Sequence, residues 1–222
     1  MNTIEGEKDA GTVTHNQPAE SSGPDWFGKL TEWERTLTAF RLPRWDTLPD
    51  LELYMDQVIV YLEKQFVLYK GNYSGTVISP SIINNYVKLG IMPRAVKKKY
   101  SRTHLAYLLM ICLLKPVLAI ADIGSLLANG LKEQELPELF DRFCAAQEQA
   151  YREQAEQSAA ERTRLLQENG QSVTALEQLA LLPALRAGAG KLAAESIIAL
   201  EREMAEAAAA AELAARGSRE KK

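Results

Sequence analysis

The chain has 222 residues, 46% of them apolar and 25% charged, with a formal net charge of −3. That supports one packed domain plus appendages, and it excludes an overall basic protein, so any polyanion site must come from local segregation of charge. Two cysteines, Cys112 and Cys144, and two histidines, His15 and His104, exclude a disulfide scaffold and a four-thiolate zinc site. With no glycine-rich phosphate loop and no nucleophile–base pair, the sequence reads as non-enzymatic, with no cofactor and no metal.

Residues 1–24 are polar and lack the apolar stretch of a signal peptide. They are expected to be a disordered tail. The longest apolar run, Leu105 to Leu114, ends at Lys115 and Pro116. It falls short of the roughly 18–20 residues of a membrane span and reads as a core helix. A reducing, cytoplasmic setting with free thiols is expected. Cys112, mid-way along the apolar helix, reads as an inert buried thiol, and so does Cys144.

From Asp25, Trp26, Leu30, Trp33, Leu37 and Phe40 recur at spacings of three and four, which predicts one apolar helix face. The tryptophans, with Trp45, read as core. Pro43 and Pro49 interrupt the chain, and Asp50 is placed to cap a helix from Leu51 to about Phe66. Its expected apolar face is Leu51, Tyr54, Met55, Val58, Ile59 and Leu62. Gly71, Asn72, Ser74 and Gly75 mark a loop. Ser79-Pro80 is a strong helix start and Gly90 a matching stop. After a basic segment, Arg94 to Tyr100, Ser101 is placed to cap a helix that ends at Pro116. A short helix over 120–127 is expected to stop at Asn129-Gly130. An Ala/Glu/Gln-rich helix is predicted from Pro137 to Glu168, then two more separated by Gly188 and Gly190, then a charged tail at 217–222. The fold class is therefore all-α.

Charge is strongly segregated. Lys64, Lys70, Lys88, Arg94, Lys97, Lys98, Lys99, Arg102 and Lys115 fall between positions 64 and 121, and no acid falls there, although the chain has 29 Asp and Glu. Such a face attracts a polyanion. Inside this block, the helix from Ser79 sorts its residues. Ile82, Ile83, Tyr86 and Val87 form one side, and Ser81, Asn84, Asn85 and Lys88 the other. Asparagine is a poor helix former, so two in mid-helix favour a functional role. Its amide can bridge adenine N6 and N7 in a major groove, while Ser and Lys reach phosphates or guanine edges. His104, just after the basic segment, either touches phosphate or lies on the helix surface.

The stretch from Ile78 to Pro93, ISPSIINNYVKLGIMP, resembles the recognition segment of MerR-type transcription regulators, V-S-x-x-T-I-R-Y-Y-x-x-x-G-L-L-P, without a gap. Lys99-Tyr100-Ser101 is similar to the family's R-x-Y-S at the end of its wing. The run from Ala119 to Leu127 is similar to its S-L-x-E-I-x-x-L-L. The region from Leu48 to Leu127 also resembles an uncharacterised bacterial domain family related to MerR, through L-P-x-x-x-L-Y-M-D-Q-V at Leu48 to Val58 and I-N-N-Y-V-K followed by K-K-Y-S.

The resemblance implies a winged helix-turn-helix with a minimal β wing at about 50–130 and dimerisation through 137–216; within 25–49, a Trp-rich helix at 25–42 and its linker, the helix is expected to pack against that domain. It implies sequence-specific binding of double-stranded DNA as a homodimer. Ser81, Asn84, Asn85 and Lys88 would read bases, and Arg94, Lys97, Lys98, Lys99, Tyr100 and Arg102 would hold phosphates. The chain departs from the family at Asn84 and Asn85, which replace arginine and tyrosine, so base preference should differ. The wing is shorter. Ala119 replaces a capping serine, which should weaken that helix by about 1 kcal/mol. No metal-sensing cysteine cluster or aromatic drug cage can be placed, so an effector is not named. The competing reading is a helical adaptor whose basic face docks an acidic protein.

Overall fold

The computed structural model describes residues 25–69, 78–170 and 172–219. The tail at 1–24 and the loop at Gly71, Asn72, Ser74 and Gly75 lie outside the described residues. The architecture is all-α, with seven α-helices described: α1 Trp26–Ala39, α2 Met55–Gln65, α3 Pro80–Lys88, α4 Arg102–Leu114, α5 Ile120–Glu133, α6 Leu136–Asn169 and α7 Val173–Arg219. Pairing in extended conformation is confined, among the described residues, to two isolated antiparallel bridges, Leu53 with Tyr100 and Val96 with Lys99.

The main core forms around α4, which is buried on nearly every side: Leu105, Leu108, Leu109, Met110 and Ile111 have at most 1% of their surface exposed. Val58 and Leu62 of α2, Ile83 and Tyr86 of α3, Ile123 and Leu127 of α5 and Phe140 and Cys144 of α6 close around it. This buried cluster runs past 50–130 on both sides, because Leu42 and Leu48 before it and Phe140 after it share the same apolar interior. Burial raises both thiols, Cys112 and Cys144, to about 12. They are therefore protonated and inert at neutral pH.

Several local expectations change. α2 starts at Met55, not Leu51, and Tyr54 rather than Asp50 occupies its cap. Leu51 and Tyr54 are exposed, because residues around Leu53 are drawn into extended pairing with Tyr100 instead of winding into helix. α5 passes through Asn129-Gly130 and ends at Glu133. Gly130 is there for packing: a Cβ would sit 3.0 Å from Leu139 Cδ1 of α6. α7 is a single 47-residue helix with Pro183, Gly188 and Gly190 inside it. Its alanine-rich flanks propagate helix well enough to cross each glycine at about 1 kcal/mol.

α1 also differs. Trp26 and Trp33 are exposed, and the buried side is Phe27, Glu34 and Leu37. That side packs on α6. Phe27 joins a second small cluster with Leu165, Ala175 and Leu179, where α6 and α7 meet. Buried Glu34 is fully partnered: Arg162 Nη2 donates to it at 3.0 Å and Ser158 Oγ at 2.8 Å. The Trp-rich helix thus rests on the C-terminal helices. α6 and α7 fold back on each other, joined at Gly170, whose φ of +62° ends α6.

Candidate nucleic-acid interface

α3 is built as its sequence dictates. Ser79 is in extended conformation, and its Oγ accepts from Ile82 N at 3.4 Å. Pro80 opens the helix. At the other end Gly90 has φ +72°. Its N–H donates to Val87 O at 3.1 Å, and Ile91 N donates to Tyr86 O at 3.0 Å. Those two bonds are a Schellman closure, which needs a left-handed residue and so selects glycine. Ile83 and Tyr86 are anchored in the core. With them fixed, Ser81, Asn84, Asn85 and Lys88 all project to solvent. Ser81 Oγ is 2.9 Å from Ser79 Oγ, so that hydroxyl also takes part in the cap. The Tyr86 hydroxyl is buried and has no hydrogen-bond partner among the described residues, and burial lifts its pKa to about 12.

The connection before α3 is long. Fourteen residues, Phe66 to Ser79, separate α2 from α3, including a 3-10 turn at Val67–Tyr69. A compact helix-turn-helix uses about three or four.

The basic segment forms a two-residue hairpin. Lys99 N donates to Val96 O at 2.9 Å, and the tip residues Lys97 and Lys98 have φ of +50° and +64°. Two left-handed tip residues are the mark of the type I′ turn, which prefers Asn-Gly. Two lysines there cost roughly 1–2 kcal/mol each. Strain at a tip with doubled charge fits a role for that charge.

The stem is fastened at two points. Leu53 N donates to Tyr100 O at 2.9 Å and Tyr100 N to Leu53 O at 2.8 Å. Below them, His104 is buried, which corrects both surface expectations for it. Its Nδ1 accepts from Ser101 N at 3.0 Å, so the ring proton is on Nε2, which donates to Arg94 O at 3.2 Å. One imidazole therefore ties the start of α4 to the start of the hairpin.

The six residues expected on phosphates fall into different settings. Arg94, Lys97 and Lys98 are exposed. Lys99 lies on the stem, with Nζ 3.4 Å from Glu52 Oε2, so it is not a free cation. Tyr100 is a core residue, 5% exposed, its ring edge-on to His104 at 5.4 Å. Alternation along the hairpin turns it inward, and it is withdrawn as a phosphate contact. Arg102 is half-buried, its Nε without a partner among the described residues and its guanidinium 5.8 Å from the Trp45 ring centroid.

Sequence reasoning missed what holds this face from behind. The strap between α1 and α2 is pinned to α6. Leu42 N donates to Glu148 Oε1 at 2.8 Å, and Trp45 N donates to Asp141 Oδ1 at 2.6 Å. Trp45, so placed, carries Arg102 on its ring, at a distance suited to a cation–π contact. The partners lie about a hundred positions apart, and no local signal marks them.

A family model described as a domain of unknown function, DUF1836, matches residues 43–153, half of the chain. The chain belongs to the DUF1836 family. The match begins in the strap at Pro43 and ends within α6, so the DUF1836 unit holds the strap from Pro43 onward, α2 to α5 and the carboxylates Asp141 and Glu148 that pin the strap. α1 and α7 lie outside it. No curated protein and no solved structure matches this DUF1836 chain. Among the described residues no helix is long and apolar enough to cross a membrane, and no group of three His, Cys, Asp or Glu could hold a metal ion.

Proposed function

We propose that this DUF1836 protein is a sequence-specific, DNA-binding transcription regulator of MerR-like winged helix-turn-helix type, acting as a homodimer. One observation carries the reading. α3 anchors Ile83 and Tyr86 in the core while Ser81, Asn84, Asn85 and Lys88 face water, inside a sequence block without a single acid. A rigid helix that presents amides and a cation, with its back locked, is the form a major-groove reader takes. In this reading the hairpin at 96–99 is the wing. Lys97, Lys98 and Arg94 hold phosphates, Arg102 supports them from the Trp45 ring, and Lys99 must leave Glu52 to join. A dimer would set two such helices about 34 Å apart, one turn of duplex.

The test is selection from a random duplex library at about 0.15 M salt. An enriched palindrome is the expected result. If no sequence is enriched and binding goes instead to acidic proteins, the adaptor reading replaces this one.

A further inference from the structure

Arg102 stands where stability alone would not put an arginine. It is the first residue of α4, at the positive end of the helix dipole, where a cation is unfavourable. Its Nε–H is buried without an acceptor, and no carboxylate pairs with it among the described residues. A buried donor left unmatched costs free energy that an apolar side chain would not. What holds the guanidinium is the Trp45 ring, whose centroid lies 5.8 Å from the guanidinium carbon. An aromatic face steadies a guanidinium and leaves its outer N–H groups open to an incoming anion, whereas a carboxylate would occupy and neutralise them.

The ring is placed from α6. Trp45 opens the 3-10 turn at 45–47, so its N–H has no partner within the turn. Asp141 Oδ1 accepts that N–H at 2.6 Å, and the half-buried indole rests against the main core. Trp45 and Asp141 both lie outside 50–130, yet both fall inside the matched region 43–153. By charge alone an acid is out of place behind a face that attracts polyanions, because it opposes their binding.

We propose that Asp141 is a positioning residue for phosphate binding: through Trp45 it sets the Arg102 guanidinium at the duplex backbone, and it raises affinity for DNA although it carries the wrong charge for it. The effect is geometric. The carboxylate oxygen fixes the Trp45 peptide, the peptide fixes the indole, and the indole fixes the guanidinium. The inference rests on the duplex reading of this face and adds to it a residue of α6, beyond the helix and hairpin assigned to the duplex.

The test is binding of the full chain to a duplex of arbitrary sequence over a series of salt concentrations, with a melting curve for each variant. Asp141→Asn removes the charge and keeps an acceptor oxygen, so it should bind as tightly as wild type or more so. Asp141→Ala removes the same charge, yet it should bind about three- to tenfold more weakly. Its slope of log affinity against log salt should flatten by about 0.9, one phosphate contact. In an Arg102→Ala background the Asp141→Ala change should cost nothing further, whereas a general loosening of the fold would weaken binding in both backgrounds. The proposal is overturned if Asp141→Ala binds as tightly as wild type, if Asp141→Asn loses as much as Asp141→Ala, or if the loss persists without Arg102. A wild type with no measurable affinity overturns it as well. If Asp141→Ala does not fold, Trp45→Phe, which keeps an aromatic face, should retain affinity that Trp45→Leu loses, and equal affinities overturn the proposal. Because the duplex has no chosen sequence, a failed selection for a palindrome leaves these ratios measurable, and the two proposals fail separately.

Discussion

Arg44 sets both terminal nitrogens of its guanidinium on the two carboxylate oxygens of Glu148, at 2.8 and 2.9 Å, across 104 residues of chain. The same carboxylate accepts the Leu42 N–H, so one side chain of α6 holds both the backbone and the side chain of the strap. Removing it leaves a buried N–H and a half-buried cation unsatisfied. Glu148→Ala should lower stability by about 2–4 kcal/mol, read from urea midpoints at neutral pH.

The same pair sets a pH dependence. Burial alone would raise the Glu148 carboxyl, but Arg44 and the Leu42 N–H outweigh it and hold the pKa below its ordinary value. The folded chain thus takes up this proton less readily than the unfolded chain, whose glutamate titrates near about 4.3. The stabilisation is complete above that value and disappears as pH falls through the lower folded one. The stability gap between wild type and Glu148→Gln should shrink between about pH 5 and pH 3. A gap of constant size over that range would show that the carboxylate charge does not matter there.

Asn84 and Asn85 are exposed and make no side-chain hydrogen bond among the described residues, so replacing both with alanine should leave the melting temperature unchanged or slightly higher, alanine being the better helix former. On a selected duplex the double variant should bind about 1–3 kcal/mol more weakly, with non-specific affinity preserved. A parallel fall in both affinities would assign the amides to the phosphate backbone instead of the bases.

The hairpin tip makes stability and binding respond in opposite directions. Lys97→Asn with Lys98→Gly gives the residues a type I′ turn prefers. The double variant should be more stable by roughly 1–2 kcal/mol, because relief of the two left-handed lysines is partly offset by the conformational freedom that the new glycine loses on folding. It should also bind every duplex more weakly, and the slope of log affinity against log salt should flatten by about 0.9 for each phosphate that is no longer neutralised. A more stable protein with an unaltered slope would take the tip out of the interface.

His104→Ala removes the acceptor for Ser101 N and the donor to Arg94 O together. The expected cost is about 1–3 kcal/mol for the buried groups left unpaired. Amide exchange should quicken at Tyr100 and Leu53, whose mutual bonds close the stem above the ring. If exchange there were unchanged, the ring would not brace the hairpin.

Local rules are enough to read α3. Its serine cap, first-turn proline and glycine stop act within four residues of where they stand, and its apolar and polar sides follow from helical spacing. The acid-free block and the exposed amide face are likewise matters of order along the chain. α1 shows where that reasoning ends. Its tryptophans have the spacing of a core stripe, yet the buried side holds Glu34, because Arg162 and Ser158 of α6 satisfy a carboxylate that would otherwise exclude itself. Gly130 has the look of a helix stop and is a packing notch for Leu139.

The order of residues alone determined an all-α protein, the bounds of α3, its divided faces and the segregation of charge, since each depends on neighbours a turn or two away. Only the tertiary structure decided that Tyr100 and His104 turn inward, that Lys99 is met by Glu52, and that Asp141 and Glu148 hold the strap beneath Arg102. Those outcomes depend on which distant groups arrive to satisfy a buried polar atom or cover an apolar one, and periodicity carries no record of such partners.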